Sequence, residues 1–338
     1  MTRFHRALAA EPMPVPPIWL MRQAGRYQRS YQAMRKQHSF EALCRTAELA
    51  AAVTLAPVQE FDFDAAILFS DLLFPLEAVG FGLSYESGGP SLDAALTPEL
   101  LRAFRPIEEA LPRLMFQKDA MAATRAILPP DKALLGFVGG PWTLFVYAME
   151  GTHAGPLARA KASPQMYRDF ADRLVPLLRE NIRLQFEGGA DVVMVLDTAA
   201  GELSPASFRT QIAPDLVTLA HAFPQRLGYY AKSSHPSQMP SLAGGPWAGL
   251  GVDARWDLAS VLADRPVPGF VQGNFDPALM LLGRDDLEAA IAAFLEPVRR
   301  LDVATRRGWI CGLGHGVLPG TSEDHVRRFV GAVREAFQ

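Results

Sequence analysis

Short apolar runs recur along this chain of 338 residues, and between them apolar residues follow the spacing of helices. Eight runs are rich in β-branched or aromatic residues and have the length of one buried strand. They occupy residues 18–21, 65–69, 134–138, 192–196, 227–231, 247–252, 269–272 and 309–313. The pattern therefore predicts eight strands separated by helices.

Capping signals mark two of the helices. Ser163 followed by Pro164 predicts the start of a helix that continues to the glycines at 188–189. Thr321 with Asp324 has the spacing of a capping pair and predicts the start of the last helix.

A strand followed by a helix, repeated eight times, predicts an α/β protein built as one (β/α)8 TIM-type barrel domain over residues 1–338. A doubly wound sheet is the alternative, because residues 71–132 separate two strands widely and the intervals around the fifth to seventh runs are short for full-length helices. In the barrel, the active-site cleft lies at the carboxyl ends of the strands.

The composition narrows the choice of partners and compartment. Lys and Arg number 33 against 36 acidic residues, a net charge of −3, so we expect no nucleic-acid or membrane partner, and any anion site must be local. Cys44 and Cys311 are too far apart to suggest a disulfide framework. Since no run has the length of a signal peptide core or a membrane span, we expect a cytoplasmic protein.

The first apolar run is followed by Arg22, Gln23, Ala24, Gly25 and Arg26. Two guanidinium groups stay charged at any relevant pH and present planar donor forks that match a carboxylate. The small residues between them let a ligand approach the backbone, and the glutamine adds an amide. This stretch therefore predicts an anion site, although arginines on a solvated face or paired with acids are the common alternative.

Asp71 ends the second run and is followed at once by Leu72 and Leu73, so its carboxylate lies beside apolar surface and needs partners. It can cap a helix, which is a common use of Asp after a strand. It can also accept hydrogen bonds from a ligand or stabilise a positive charge on one.

Four further residues offer possible ligand contacts. Tyr147 carries a hydroxyl in an aromatic segment that otherwise looks like core, and Phe40 is most simply a packing residue. Thr198 follows the fourth run and can cap its loop, while His315 lies between two glycines that also suit a tight turn. His153 looks like an ordinary packing or surface histidine.

A metal site is not expected. Cys311 precedes His315 by four residues, but no second Cys/His cluster occurs and the glycines interrupt the helix that such spacing would need. The chain also has no Gly-x-Ser-x-Gly elbow and no Walker-type phosphate loop.

Taken together, these motifs resemble the uroporphyrinogen decarboxylase family over most of the chain. The resemblance is carried by residues 19–27 (WLMRQAGRY), 69–71 (FSD), 136–143 (GFVGGPWT), 200–205 (AGELSP) and 312–316 (GLGHG). It implies a (β/α)8 barrel, usually a homodimer, with a deep cleft. It also implies a set of substrate contacts: Arg22, Gln23, Ala24, Gly25, Arg26, Phe40, Asp71, Tyr147, Thr198 and His315.

The family's reaction removes carbon dioxide from the acetate arms of uroporphyrinogen and needs no cofactor or metal, because a pyrrole protonated at carbon can accept the electrons. The resemblance makes Asp71, Arg22 and Arg26 the catalytic residues. Asp71 would accept the pyrrole N–H groups and stabilise the developing cation. The arginines would hold carboxylates, and the proton donor stays open between an arginine, a bound water and the substrate's own carboxyl.

Two other functions stay open. A corrinoid-linked methyltransferase of related fold would need a His-x-Cys pair with a later Cys, and this sequence has neither. A non-catalytic tetrapyrrole carrier would keep Arg22 and Arg26 but would not need Asp71.

Overall fold

The computed structural model describes residues 1–85, 89–265 and 269–338. Its centre is a curled sheet of seven parallel strands in the order β1-β4-β5-β6-β7-β8-β9, and β2 pairs with β3 in a separate antiparallel hairpin. In chain order, the strands of the described residues are β1 (Ala65–Ile67), β2 (Leu83–Ser84), β3 (Ser91–Leu92), β4 (Ala133–Gly139), β5 (Val192–Leu196), β6 (Leu227–Tyr230), β7 (Gly249–Gly251), β8 (Phe270–Phe275) and β9 (Trp309–Leu313).

Helices fill most of the segments between the strands. The α-helices of the described residues are α1 (Arg3–Leu8), α2 (Arg29–Gln37), α3 (Phe40–Arg45), α4 (Ala47–Phe61), α5 (Phe74–Val79), α6 (Pro98–Arg102), α7 (Ile107–Ala110), α8 (Met115–Ile127), α9 (Pro141–Glu150), α10 (Ala158–Lys161), α11 (Pro164–Glu187), α12 (Pro205–Ser207), α13 (Ala213–Ala222), α14 (Leu258–Asp264), α15 (Arg284–Arg299) and α16 (Glu323–Ala336). Short 3₁₀ turns span Leu111–Leu114, Ala200–Glu202, Pro236–Ser241 and Pro277–Leu281, and a π-helical turn spans Phe208–Ile212.

The predicted α/β class is confirmed, since seven of the eight predicted runs form the parallel sheet. The exception is the first run, where only Ile18 forms an isolated parallel bridge, with Cys311. The long region after β1, in which no strand was predicted, contains the β2–β3 hairpin.

The segment around Ile18 contacts both ends of the sheet. Trp19 N–H donates to the carbonyl of Cys311 in β9 (3.1 Å), and Cys311 N–H donates to the carbonyl of Pro17 (2.8 Å). On its other side, Asp64 N–H, directly before β1, donates to the carbonyl of Ile18 (2.9 Å). The first and last strands of the sheet therefore flank one short segment.

Alternate residues of each strand belong to two different cores, as expected for side chains that point to opposite faces of a sheet. Leu135 and Met194 pack with Trp19 in one cluster, which also receives Phe4 from α1. Their neighbours along the strands, such as Val193, belong to a larger cluster shared with the helices. The sheet is thus buried on both faces, which explains why its strands are continuous apolar runs.

One predicted helix start is confirmed and the other is wrong. Helix α11 begins at Pro164, with Ser163 as its N-cap residue. Helix α16 is capped by Ser322, whose side chain accepts from His325 N–H, and not by Thr321, whose hydroxyl is buried without a partner among the described residues. Both residues can cap, and the register of the chain entering α16 selects the second.

None of the helices in residues 1–85, 89–265 and 269–338 is long and apolar enough to cross a membrane.

Asp64 joins three parts of the chain. Its carboxylate is 5% exposed, accepts from Ile18 N–H at 2.7 Å, and pairs with Arg334 of α16, whose side chain is 13% exposed. Arg3 of α1 also contacts it at 3.2 Å. A buried charge pair is costly to break from one side, because the remaining charge loses its partner.

We predict that Asp64→Asn lowers the free energy of unfolding by about 3 kcal/mol, measured by urea denaturation, because Arg334 is left buried without a counter-charge. The matched control is Asp62→Asn, since Asp62 pairs with Lys132 at 2.6 Å but is 72% exposed. Its cost should stay below about 0.5 kcal/mol. Equal effects of the two substitutions would contradict the account.

Candidate active site

Polar side chains gather at one edge of the sheet. Asp71 follows β1, Tyr147 lies on α9 after β4, Thr198 follows β5, Lys232 follows β6 and His315 follows β9. Because all seven strands are parallel, their carboxyl ends meet at the same edge. The predicted location of the chemistry thus collects residues that are far apart in sequence.

The segment from Arg22 to Arg26 enters this edge as a series of turns, and Arg22 has a left-handed backbone with φ of 56°. Within the described part of the chain, no backbone N–H of residues 22–26 donates to a carbonyl or side-chain acceptor. Consecutive free N–H groups in turns of this kind form a concave donor surface for anions.

The guanidinium groups of Arg22 and Arg26 also have no protein partner within residues 1–85, 89–265 and 269–338. The nearest arginines before and after the segment in the sequence, Arg6 and Arg29, each pair with a glutamate. Arg22 and Arg26 are exposed, and neither has a carboxylate within ion-pair distance among the residues that the structure describes. The alternative that these arginines pair with acids of the chain is therefore not observed there.

Arg22 lies against the glycine-rich motif that follows β9. A Cβ atom added to Gly316 would lie 2.4 Å from Cδ of Arg22, so the absence of a side chain at 316 makes room for the arginine. Gly314 is equally constrained, because its Cβ would lie 2.4 Å from the backbone N of Ala254. Close packing thus explains why glycines lie on both sides of His315.

Asp71 is half-buried and accepts one local hydrogen bond, from Leu73 N–H to Oδ1 (2.8 Å). It does not cap a helix, since α5 begins at Phe74 with Leu73 as N-cap. Burial raises the pKa of Asp71 to about 6, against the opposing effects of the Leu73 hydrogen bond, the Tyr85 hydroxyl and the Arg22 charge. Such a raised pKa is typical of functional carboxyl groups.

An aromatic group borders Asp71. The ring of Phe40 lies 5.4 Å from that of Phe69 and 4.5 Å from that of Tyr85, between centroids. The Tyr85 hydroxyl is buried and, in the described residues, has no hydrogen-bond partner by geometry. Phe40 therefore packs against Tyr85, whose hydroxyl acts on the pKa of Asp71.

The position of Tyr147 depends on hydrogen bonds in the first turn of α9. Asp197, fully buried, accepts from the Thr143 N–H (2.8 Å) and hydroxyl (2.7 Å) in the first turn of the helix. A Cβ at Gly140 would lie 2.2 Å from the Asp197 carboxyl carbon, so only glycine permits this contact. Burial raises the pKa of Asp197 to about 6. This carboxyl therefore orients the helix that carries Tyr147.

Burial raises the pKa of Tyr147 to about 12, with the Asp71 charge raising it further and the Arg22 charge opposing. The hydroxyl lies 2.6 Å from Nδ1 of His153. Tyr147 thus keeps its proton at neutral pH and lies within the field of both charged residues.

His315 stacks on Tyr230, with ring planes 9° apart and Nδ1 at 3.2 Å from the Tyr230 hydroxyl. That hydroxyl donates to the carbonyl of Gly314 (2.8 Å). Burial lowers the pKa of His315 to about 3, and the charges of Arg22 and Lys232 lower it further. The imidazole is therefore neutral at the edge of the site.

The predicted site residues differ in burial and in the groups they contact. Gln23 is fully buried, and its amide donates to the carbonyl of Ala65 (3.0 Å), so its side chain points away from the cleft. Arg26 is exposed and acts on the pKa of Tyr31 rather than on that of Asp71. Thr198 is half-buried at the end of β5. The substrate contacts assigned to these residues stay predictions.

Sequence reasoning missed three residues of this region: Tyr85, His153 and Lys232. Lys232 directly follows the predicted strand at 227–231, so inspection of the residue after each strand could have found it. Neither Tyr85 nor His153 follows a strand of the main sheet, and no sequence signal marks them.

No group of three or more His, Cys, Asp or Glu side chains placed to hold a metal occurs within residues 1–85, 89–265 and 269–338. Cys44 and Cys311 are buried free thiols, and burial raises the pKa of each, which keeps both thiols protonated.

These features define an α/β protein in which charged and polar side chains gather at the carboxyl edge of a parallel sheet. The family model described as uroporphyrinogen decarboxylase (URO-D) matches residues 1–336. The uroporphyrinogen decarboxylase of Chloroflexus aurantiacus is 36% identical, with 97% of this chain and 94% of the relative covered. That of Edwardsiella ictaluri is 34% identical, with 98% of this chain and 96% of the relative covered.

The chain belongs to the uroporphyrinogen decarboxylase family. The family and the enzyme class, a carboxy-lyase, are thereby confirmed. A methyltransferase from Methanosarcina mazei has a similar structure, with a TM-score of 0.76 and 20% identity over the full length of both chains. That likeness is one of fold.

We predict that Gly316→Ala lowers kcat/KM on the order of tenfold to a hundredfold, because the added methyl displaces Arg22. Steady-state kinetics would measure the loss, and urea denaturation should show a small change in stability. Gly331→Ala is the control, since its Cβ would meet no described atom within 4 Å outside the backbone of its own helix. Unchanged kinetics of Gly316→Ala would mean that the position of Arg22 is irrelevant to turnover.

Proposed function

We propose that this protein decarboxylates the four acetate side chains of uroporphyrinogen III to methyl groups, giving coproporphyrinogen III, in porphyrin and haem biosynthesis. The observation that carries the proposal is the pair of opposite charges, Asp71 and Arg22, which lie near each other without being ion-paired in the described residues. Membership of the family and the relatives' activity support it.

The reaction needs an electron acceptor, because the carbanion left by loss of carbon dioxide from an acetate has none of its own. Protonation of the adjacent pyrrole at carbon makes a cationic ring that accepts the electron pair. Asp71 accepts the pyrrole N–H groups and stabilises that cation, whose charge is largest in the transition state. Its half-buried position strengthens this interaction relative to water.

The carboxylate arms of the substrate bind to the cationic side of the cleft. The guanidinium groups of Arg22 and Arg26 hold carboxylates, and the free N–H groups of Gln23, Ala24 and Gly25 add donors. This explains how Gln23 contributes while its side chain is buried elsewhere. Phe40 packs on the ring system.

Tyr147, Thr198 and His315 lie at the same edge of the sheet and contact the arms of the substrate. The hydroxyls of Tyr147 and Thr198 serve as hydrogen-bond donors. His315, being neutral, adds a hydrogen-bonding group without a charge.

The segment Pro17–Trp19 is proposed to act as the eighth element that closes the sheet into a single (β/α)8 barrel domain. Its hydrogen bonds to Cys311 on one side and Asp64 on the other support this view. The homodimer and the cytoplasmic location are proposed from the family resemblance.

The direct test is anaerobic incubation of the purified protein with uroporphyrinogen III in the presence of a metal chelator. Coproporphyrinogen III should accumulate. A carrier would bind the tetrapyrrole and return it unchanged, and a corrinoid-linked methyltransferase would leave it unchanged as well. Absence of coproporphyrinogen under these conditions would overturn the proposal.

Asp71→Asn should reduce kcat by at least about a hundredfold, the size of effect found when one group that stabilises a transition-state charge is removed. Its midpoint in urea should equal or exceed that of the wild type, because the neutral amide has no buried charge to accommodate. Near-normal turnover would contradict the assigned role.

The pH profile gives an independent check. Since burial raises the pKa of Asp71 to about 6 and the ionised form is the active one, kcat/KM should rise roughly tenfold between pH 5 and 7 and then level off. A profile that is flat over this range would show that ionisation of Asp71 does not limit the reaction.

A further inference from the structure

His153 lies on the loop after α9 and returns to contact that helix. Its Nδ1 is 2.6 Å from the hydroxyl of Tyr147, and the two rings lie 5.3 Å apart between centroids at an angle of 42°. Both residues are half-buried. The histidine is thus in direct contact with a hydroxyl of the proposed site.

The loop is fixed at both ends. Gly151 ends α9 with φ of 74° and donates its N–H to the carbonyl of Tyr147 (2.9 Å). At the start of α10, Ala160 N–H donates to Oε1 of Glu150 (2.9 Å). A left-handed glycine after the helix and this cross-link turn the chain back, which brings His153 beside Tyr147.

The hydrogen bond joins two neutral groups. Burial lowers the pKa of His153, and the charges of Arg22 and Lys232 lower it further, so the imidazole is unprotonated at neutral pH. The raised pKa of Tyr147 keeps its proton in place. Either group can therefore donate, depending on the tautomer of His153.

A carboxylate ligand would fix which of the two groups donates the hydrogen bond. Ionised carboxyl groups only accept hydrogen bonds, so a carboxylate beside Tyr147 requires the phenol O–H to point at the ligand. The phenol oxygen then needs a donor from His153, which is met when the imidazole proton is on Nδ1.

We infer that His153 is a positioning residue, which donates from Nδ1–H to the Tyr147 oxygen and so directs the Tyr147 O–H at a carboxylate arm of the substrate. The inference rests on the proposed function. It adds a role for a residue whose sequence context looks like ordinary packing.

Four variants test the inference by kinetics. His153→Leu removes the polar ring, whereas His153→Asn keeps a donor close to the position of Nδ1. Tyr147→Phe removes the hydroxyl, and the double variant Tyr147→Phe/His153→Leu completes the cycle. His221→Leu, at an exposed histidine of α13, controls for loss of a histidine elsewhere.

We expect His153→Leu to lower kcat/KM about tenfold, with the loss divided between kcat and KM as in Tyr147→Phe. His153→Asn should stay within about threefold of wild type, and His153→Leu should change the Tyr147→Phe enzyme less than about twofold. Wild-type kinetics of His153→Leu, or an equal loss in both backgrounds, would overturn the inference.

A second readout does not depend on turnover. In protein labelled with ¹⁵N-histidine, the His153 signals are assigned by their loss in His153→Asn, and the tautomer is read with coproporphyrin III as the probe. We expect the Nδ1–H tautomer in the complex. The Nε2–H tautomer would overturn the inference. An inactive wild-type enzyme that still shows the Nδ1–H form would count against the proposed function alone.

Discussion

Asp71 and Arg22 lie at the same edge of the sheet, close enough for the Arg22 charge to lower the pKa of Asp71, without forming an ion pair among the described residues. Opposite charges near each other would normally pair, which would neutralise the site before any ligand arrived. Here the carboxylate accepts a hydrogen bond from the backbone N–H of Leu73, while the aliphatic part of the Arg22 side chain packs against Gly316. Each charge is therefore left for a different part of a ligand that has cationic character in its ring and anionic arms.

Close contacts in the sheet keep these charges in place. Gly140 lets the buried Asp197 reach the first turn of α9, and this contact orients the helix that carries Tyr147. At Gly201, a Cβ atom would lie 2.0 Å from the carbonyl oxygen of Lys232, so the loops after β5 and β6 pack backbone against backbone. The glycines of the sequence motifs thus act mainly through packing. They allow polar groups from different strands to approach one edge, and this makes a site from residues that are separate in sequence.

The sequence predicts features whose signals are local, and it fails where a role depends on contacts between distant parts of the chain. Buried strands are marked by local apolar runs, so most of the sheet could be predicted. The run at residues 18–21 is the exception, because only Ile18 forms a bridge. The cap of α16 shifted from Thr321 to Ser322, since two neighbouring hydroxyls have the same local chemistry. His153 and Tyr85 could not be predicted, because their roles arise only when loops fold back onto other elements. The positions of Arg22 and Asp71 after two predicted strands placed both at one edge of the predicted barrel, and the family resemblance supplied their roles.

The central claim is that Asp71 is a half-buried carboxylate held ready for N–H donors of a ligand. Its most direct test is a ¹³C NMR titration of the Asp71 carboxyl, assigned by its absence in Asp71→Asn, with and without bound coproporphyrinogen III. The account predicts a pKa near 6 in the free protein, which falls on binding because pyrrole N–H groups stabilise the ionised form. A free carboxyl that titrates near the ordinary value of 3.8, or one whose titration the ligand leaves unchanged, would contradict it.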